Sequence, residues 1–251
     1  MITAVRIIAF FGILLSAPVL ADESSHDRLQ GDVGGFLSAA QSPIRGEPSH
    51  LLLLPYAYFD YGRVFARVDT FGFKTVRLAQ GYLEVVGRVK FDGYLTSGNP
   101  AMSGIGDRQD SAPIGLGTFQ LTHLGGLFLY GFHDMNLSKG NLYEATWVTR
   151  FRMGRFTLYP QLTMERYTKN YTRYYYGVSA DESVRSGYPA YAPKASTIVA
   201  LRLLLEYPLG GGWISQLYVQ RKRLGSAISD SPLVASKFVN NGYVTLAFRF
   251  R

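Results

Sequence analysis

The residues with the most obvious capacity for acid–base chemistry in this 251-residue chain are its four histidines, His26, His50, His123 and His133. The stretch Gly131-Phe132-His133-Asp134-Met135-Asn136-Leu137-Ser138 brings a histidine, an acid and a serine close together. A nucleophile and its base must lie within hydrogen-bond reach, with the base oriented by a third group. The spacing here matches no lipase or deacylase motif, and it reads better as rim residues at a strand end. No histidines or cysteines are paired at metal-ligand spacing. Gly104-Ile105-Gly106-Asp107 is a lone glycine pair in a loop, too weak a signal for phosphate binding. The sequence therefore assigns no catalytic, cofactor-binding or metal-binding residue.

A second group of residues has chemistry of another kind. Charges recur at alternate positions: Glu84, Arg88 and Lys90, then Glu144, Arg150 and Arg152, then Arg155 and Glu165. Arg202, Glu206, Lys222 and Arg249 continue the series. Alternate side chains of a strand share a face, so such runs place charge on one side and apolar groups on the other. Residues 141–167 show it best. Tyr143, Ala145, Trp147, Thr149, Phe151 and Met153 fall on one face, and Leu142, Glu144, Thr146, Val148, Arg150 and Arg152 on the other. Beyond Met153-Gly154, Phe156, Leu158, Pro160, Leu162 and Met164 alternate with Arg155, Thr157, Tyr159, Gln161, Thr163 and Glu165. A two-residue turn at Met153-Gly154 sets Arg152 opposite Arg155, Phe151 opposite Phe156 and Trp147 opposite Pro160.

Each arm has about the 9–11 residues that a tilted strand needs to cross a bilayer. In a membrane barrel the apolar face meets lipid and the polar face lines the lumen. The same alternation runs through residues 82–92, 198–207, 213–222 and 243–250. Further strands are read at 31–40, 50–60, 63–69, 72–79, 112–121 and 126–136, giving an all-β, antiparallel transmembrane barrel of about 12 strands, an even number as in bacterial barrels. The short connections at 60–62, 79–81, 122–125, 153–154 and 208–212 fall at one end and the long ones at 93–111, 168–194 and 223–240 at the other. Short turns mark the periplasmic end and long loops the outside. Both chain ends then emerge in the periplasm. The tyrosine-rich loop 168–194 is too long for a turn and is expected to fold onto the barrel mouth.

One positive charge at Arg6, the apolar run 7–15 and small residues ahead of Asp22 read as a secretory signal peptide, residues 1–21, cut after Ala21. The barrel domain is then 22–251, exported to the outer membrane of a Gram-negative bacterium. The absence of cysteine excludes both a disulfide framework and a lipoprotein anchor. A mean hydropathy of +0.02 is what alternation produces. The net charge of +8 is spread among acids without a basic cluster, which argues against nucleic acid as a partner.

Three patches carry a family resemblance. Tyr175-Tyr176-Gly177-Val178-Ser179 with Glu182, Ser183, Ser186-Gly187 and Pro189-Ala190-Tyr191 resembles the signature of the MipA/OmpV family. Asp230-Ser231-Pro232-Leu233-Val234 is similar to a second family patch, and Leu54-Pro55-Tyr56 with Tyr61-Gly62-Arg63-Val64-Phe65 to its amino-terminal motif. The resemblance implies an outer-membrane protein, and with no catalytic or cofactor-binding residues assigned, a protein without enzymatic activity or cofactor is expected. Its partners would be outer-membrane lipid and lipopolysaccharide, and in the scaffold reading a lytic transglycosylase and a murein synthase. The other reading is a porin-like diffusion channel or a surface adhesin. The inward charges fit either, as a neutralised network filling the barrel or as a lining for a solute path. Both signs on single strands favour the filled or nearly closed barrel.

Overall fold

Strand alternation carries the chain through 12 antiparallel strands that close into a barrel. The computed structural model describes residues 29–250; the expected signal segment and His26 lie outside the described residues. The strands are β1 (Leu29–Ala40), β2 (His50–Tyr61), β3 (Val64–Arg67), β4 (Thr70–Leu78), β5 (Gly81–Arg88) and β6 (Ile114–Thr122). They continue as β7 (Gly125–His133), β8 (Asn141–Val148, resumed at Phe151–Met153), β9 (Phe156–Tyr167), β10 (Ser196–Gly210), β11 (Trp213–Arg223) and β12 (Phe238–Phe250). Each pairs with its sequence neighbours, and β12 pairs with β1 through Gly31↔Phe250 to Ala40↔Asn241, which closes the ring. Closure leaves no full-length edge for lipid to meet. Among the described residues no helix is long and apolar enough to cross a membrane.

The β8–β9 hairpin keeps the expected faces but not the expected register. Met153 pairs with Phe156, Phe151 with Leu158 and Trp147 with Leu162. The whole pairing is displaced by two residues, so neither Phe151–Phe156 nor Trp147–Pro160 is a pair. Gly154 decides this: its φ of +60° places it first of the two central residues, with Arg155 second. A glycine is the residue that takes a left-handed φ there without a side-chain clash. Arg155 therefore lies in the turn and not on the lumen face. Opposite Pro160, β8 breaks at Thr149-Arg150: Thr149 N–H donates to the Pro160 carbonyl at 3.2 Å, but proline has no N–H to return.

Other limits moved modestly. β12 begins at Phe238, ahead of the expected Tyr243, because Asn240-Asn241-Gly242 masks its alternation. The outward face forms the apolar band, with Val85, Leu116, Trp147, Leu162, Leu201 and Leu246 all exposed. The two-residue turns 62–63, 79–80, 123–124, 154–155 and 211–212 lie at one end. The long connections 89–113, 168–195 and 224–237 lie at the other, as does the two-residue link Val68-Asp69. The long loops pack a core of their own over the mouth, built on Ile44, Tyr94, Met102, Tyr171, Tyr175 and Leu233.

Candidate functional site

The lumen charges form several groups of ion pairs and hydrogen bonds. Glu165 on β9 is the hub of the upper one: Lys222 lies at 3.3 Å, Arg202 at 3.4 Å and Lys90 at 3.8 Å. The Tyr167 hydroxyl donates to the same carboxylate at 2.6 Å. Beside it Arg88 of β5 pairs with Glu144 of β8 at 2.7 Å and lies over the Phe132 ring at 4.5 Å. Near the short-turn end Arg249 spans two acids, reaching Asp32 and Glu206 each at 2.7 Å. Gln216 also donates to Glu206, at 3.2 Å. Between these groups Asp60 is held by Arg67 at 3.0 Å and Lys74 at 2.6 Å, and Glu84 accepts from Tyr130 at 3.1 Å. Low permittivity strengthens such pairs and makes an unpaired charge costly, so each acid meets a cation or hydroxyl.

Nine of the charges read from the sequence thus occupy the interior: Glu84, Arg88, Lys90, Glu144, Glu165, Arg202, Glu206, Lys222 and Arg249. Arg155 does not join them, since it stands in the turn. Arg150 and Arg152 keep the inward side of the hairpin at its exposed short-turn end, where Arg152 pairs with buried Thr157 and the Arg150 charge acts on Glu206. Arg155 instead lies over the Tyr207 ring at 4.9 Å and donates to the Pro208 carbonyl. Asp32, Asp60, Arg67 and Lys74 join the lumen network and were not foreseen, and Asp69 and Asp92 meet Arg88 and Lys90 at its upper end. Asp32 sits in a glycine-rich strand, Arg67 ends a four-residue one, and Asp60 and Lys74 lie on its neighbours, where alternation is too brief to read. The side chains of Glu165 and Arg88 are only 6% and 11% exposed, against 38% for Asp60 and 31% for Arg249. Asp32 and Glu206, the acids that hold Arg249, are nearly as buried as Glu165, so charge is taken out of water at both ends of the lumen.

The tyrosine-rich connection is not a plain loop. It folds as α1 (Lys169–Tyr176) and α2 (Ala180–Ser186). Tyr171 and Tyr175, one helical turn apart, pack with ring centroids 4.7 Å apart and planes tilted by 44°. The Ser179 side chain accepts from the Glu182 N–H while Glu182 accepts from the Ser179 N–H, the reciprocal cap that the Ser-x-x-Glu spacing encodes. The family-signature residues are the joints of this cap. Glu182 also accepts from Gly106 N–H at 3.0 Å and pairs with Arg108 at 2.8 Å. The Ser183 hydroxyl donates to the Tyr188 carbonyl, and Val178 and Tyr191 exchange backbone bonds across Pro189. Tyr191 donates to the Ala227 carbonyl, and Ser231 of the second patch to the Tyr176 carbonyl, beside Gly177. Burial alone would raise the Glu182 pKa, but the Ser179 and Gly106 amides and Arg108 pull it down to about 2. Burial pushes the Tyr171 and Tyr176 hydroxyls well up, and nearby Asp92 adds to this.

The histidine–acid–serine stretch closes a turn. Ser138 donates both its hydroxyl and its N–H to Asp134, while His133 Nδ1 meets Asn141 Oδ1 at 2.6 Å. Burial would raise the Asp134 pKa, but the Ser138 bonds win and lower it. His50 faces Glu47 at 3.3 Å, and His123 lies in the β6–β7 turn. The Gly104–Gly106 pair seats α2, since Gly106 donates to a carboxylate. Among the described residues no group of three or more His, Asp or Glu side chains could hold a metal ion.

A closed 12-stranded antiparallel barrel with an apolar outer face, a charged interior and asymmetric loops defines the outer-membrane β-barrel class. Comparison with known families matches residues 33–250 to the family described as MltA-interacting protein MipA, and the chain belongs to that family. It is 24% identical over 233 residues to the "Putative outer membrane protein YiaT" of Escherichia coli K12, covering 91% of this chain and 92% of that protein. It is 29% identical over 155 residues to the "MltA-interacting protein" of the same strain, covering 61% and 62% of the two chains. The protein of that name from Shigella flexneri matches with the same figures.

Proposed function

We propose that this barrel is a non-enzymatic scaffold of the outer membrane, which holds murein-synthesising and murein-hydrolysing enzymes at its short-turn end. The observation that carries this reading is the way the interior is filled. The mouth is covered by a cap with its own tyrosine core, and the lumen charges below it are spent on one another. Groups so paired serve folding and leave no continuous lining for a solute. The short-turn end has the opposite character. Arg150, Arg152 and Arg155 are exposed there and make no ion pair among the described residues, beside exposed Phe151, Met153 and Phe156. A cationic and aromatic rim of this kind suits a periplasmic protein partner. The relative named MltA-interacting protein points the same way, and the family resemblance implies a lytic transglycosylase and a murein synthase as the partners. The outward band would meet acyl chains and lipopolysaccharide.

The test is capture from mildly solubilised outer membranes, with a photoreactive residue at Gln80, Leu124 or Gly154 and a control in the outer cap at Val184. Murein enzymes should crosslink at the turns and not at the cap. A large, steady conductance of the intact protein in planar bilayers, without any such adduct, would overturn the reading in favour of a diffusion channel.

A further inference from the structure

The barrel wall has a window. β2 runs for 12 residues, but β3 pairs with only Tyr58–Tyr61 of it, because β3 itself is four residues long. A strand of four residues cannot cross the band that its neighbours cross. Residues 50–57 of β2 therefore face open space on the β3 side. The floor of the opening is the Val68-Asp69 link, where Val68 N–H donates to the Ala57 carbonyl. The far side is β5, continued by the Lys90↔Ser111 bridge. The top is closed by Asn99, which donates to the Arg45 carbonyl at 2.8 Å.

The lining is apolar on both faces: Leu51-Leu52-Leu53-Leu54 interrupts the alternation that turns Asp32, Glu84, Glu144 and Glu165 inward on other strands. Leu51 and Leu53 point outward, 68% and 79% exposed, while Leu52 points inward and is still 43% exposed. Leu54, also inward, packs with Phe36 and Tyr56 in a small apolar cluster on the lumen side. The backbone groups of the odd residues turn to the window, as Ala57 shows. Leu51 and Leu53 thus offer N–H and C=O groups there that meet no partner among the described residues, and Pro55 has no N–H at all. Proline on an open edge discourages a further strand. Val68, a β-branched residue at φ +62°, holds the floor in a conformation such residues rarely adopt, as happens at ligand sites.

We infer that the window seats an acyl chain of an outer-leaflet lipid, which passes from the bilayer into the lumen wall. The window is continuous with the lipid-facing band, which makes a membrane lipid its nearest occupant. The chain would lie against Leu52, Leu54 and Phe36. Its ester or amide carbonyl would accept from the Leu51 or Leu53 N–H, satisfying groups that bare hydrocarbon could not. The reading does not depend on any murein partner, since it needs only the protein in vesicles.

The chain has no cysteine, so single nitroxide labels are clean. Labels at Leu52→Cys, at Leu201→Cys on the outer face and at Gln220→Cys on the lumen face of β11, three strands round the wall, would be compared in lipopolysaccharide-containing vesicles. Relaxation by oxygen reports lipid and relaxation by a nickel chelate reports water. Leu52→Cys should follow Leu201→Cys, with an oxygen-to-nickel ratio several-fold above that of Gln220→Cys. If Leu52→Cys fails to fold, Ser38→Cys, paired with it on β1, reads the same space. A ratio equal to that of Gln220→Cys, or dominance of nickel, would overturn the inference. So would spin–spin broadening at this site alone, which would mean that a second copy fills the window.

Discussion

Replacing Glu165 with glutamine keeps the shape of the side chain and removes the one charge that three cations share. Lys222, Arg202 and Lys90 lie 3.3, 3.4 and 3.8 Å from it, and the Glu165 side chain is 6% exposed. At 3.3 Å and an effective permittivity of about 20, one such contact is worth roughly 5 kcal/mol before desolvation. Glu144 cannot take over, since Arg88 already holds it at 2.7 Å. Removing one partner of a buried pair costs about 3–5 kcal/mol, because the other charge is left uncompensated. Glu165→Gln should therefore destabilise the barrel by about that amount. Adding Lys222→Gln to it should restore part of the loss, as coupled sites do. Arg150→Gln, at the exposed rim, should change stability by less than about 0.5 kcal/mol. Urea-dependent folding into lipid vesicles, followed by the fluorescence of Trp147 and Trp213, measures all three. A loss below about 1 kcal/mol for Glu165→Gln, or strict additivity with Lys222→Gln, would refute the network as the element that holds the interior.

Arginine at Ala145 or Leu162, on the outer face, should cost about 2–4 kcal/mol in the same assay, and at half-buried Gln161 on the inner face clearly less; equal costs would reject the assigned faces. The cap should loosen in acid. Glu182 has its pKa depressed from 4.5 to about 2, so its stabilisation is complete above about 4.5 and fades as pH falls towards 2. Amide exchange at Gly106 should accelerate over that window and lose this dependence in Glu182→Gln; an unchanged pH profile in the variant would exclude Glu182 as the cause. Mass spectrometry of protein from the outer membrane should find Asp22 at the amino terminus, and retention of residues 1–21 would contradict the signal-peptide reading.

The sequence by itself determined which way side chains point. A period of two leaves only two choices for each strand, and a single misplacement would bury Trp147 or expose Glu165 to lipid. That is why the lipid face, the closed barrel class and nine of the lumen charges were legible before any coordinates. The same periodicity is blind to even displacements. The β8–β9 pairing could slide by two residues without changing a face, and only the left-handed φ of Gly154 in the folded turn fixed it. Arg155 was misplaced for this reason. The two cap helices carried a local signal, the four-residue spacing of Tyr171 and Tyr175 and the Ser179-x-x-Glu182 pattern, obscured by the polar, tyrosine-rich composition around them. What no local pattern held was distance between strands. That Arg249 joins Asp32 to Glu206, that Glu182 of one loop seats Gly106 of another, and that β3 stops short of β2 all depend on closure of the ring. Alternation is a property of neighbours along the chain, whereas these contacts unite residues tens to hundreds of positions apart, and only the folded barrel brings them together.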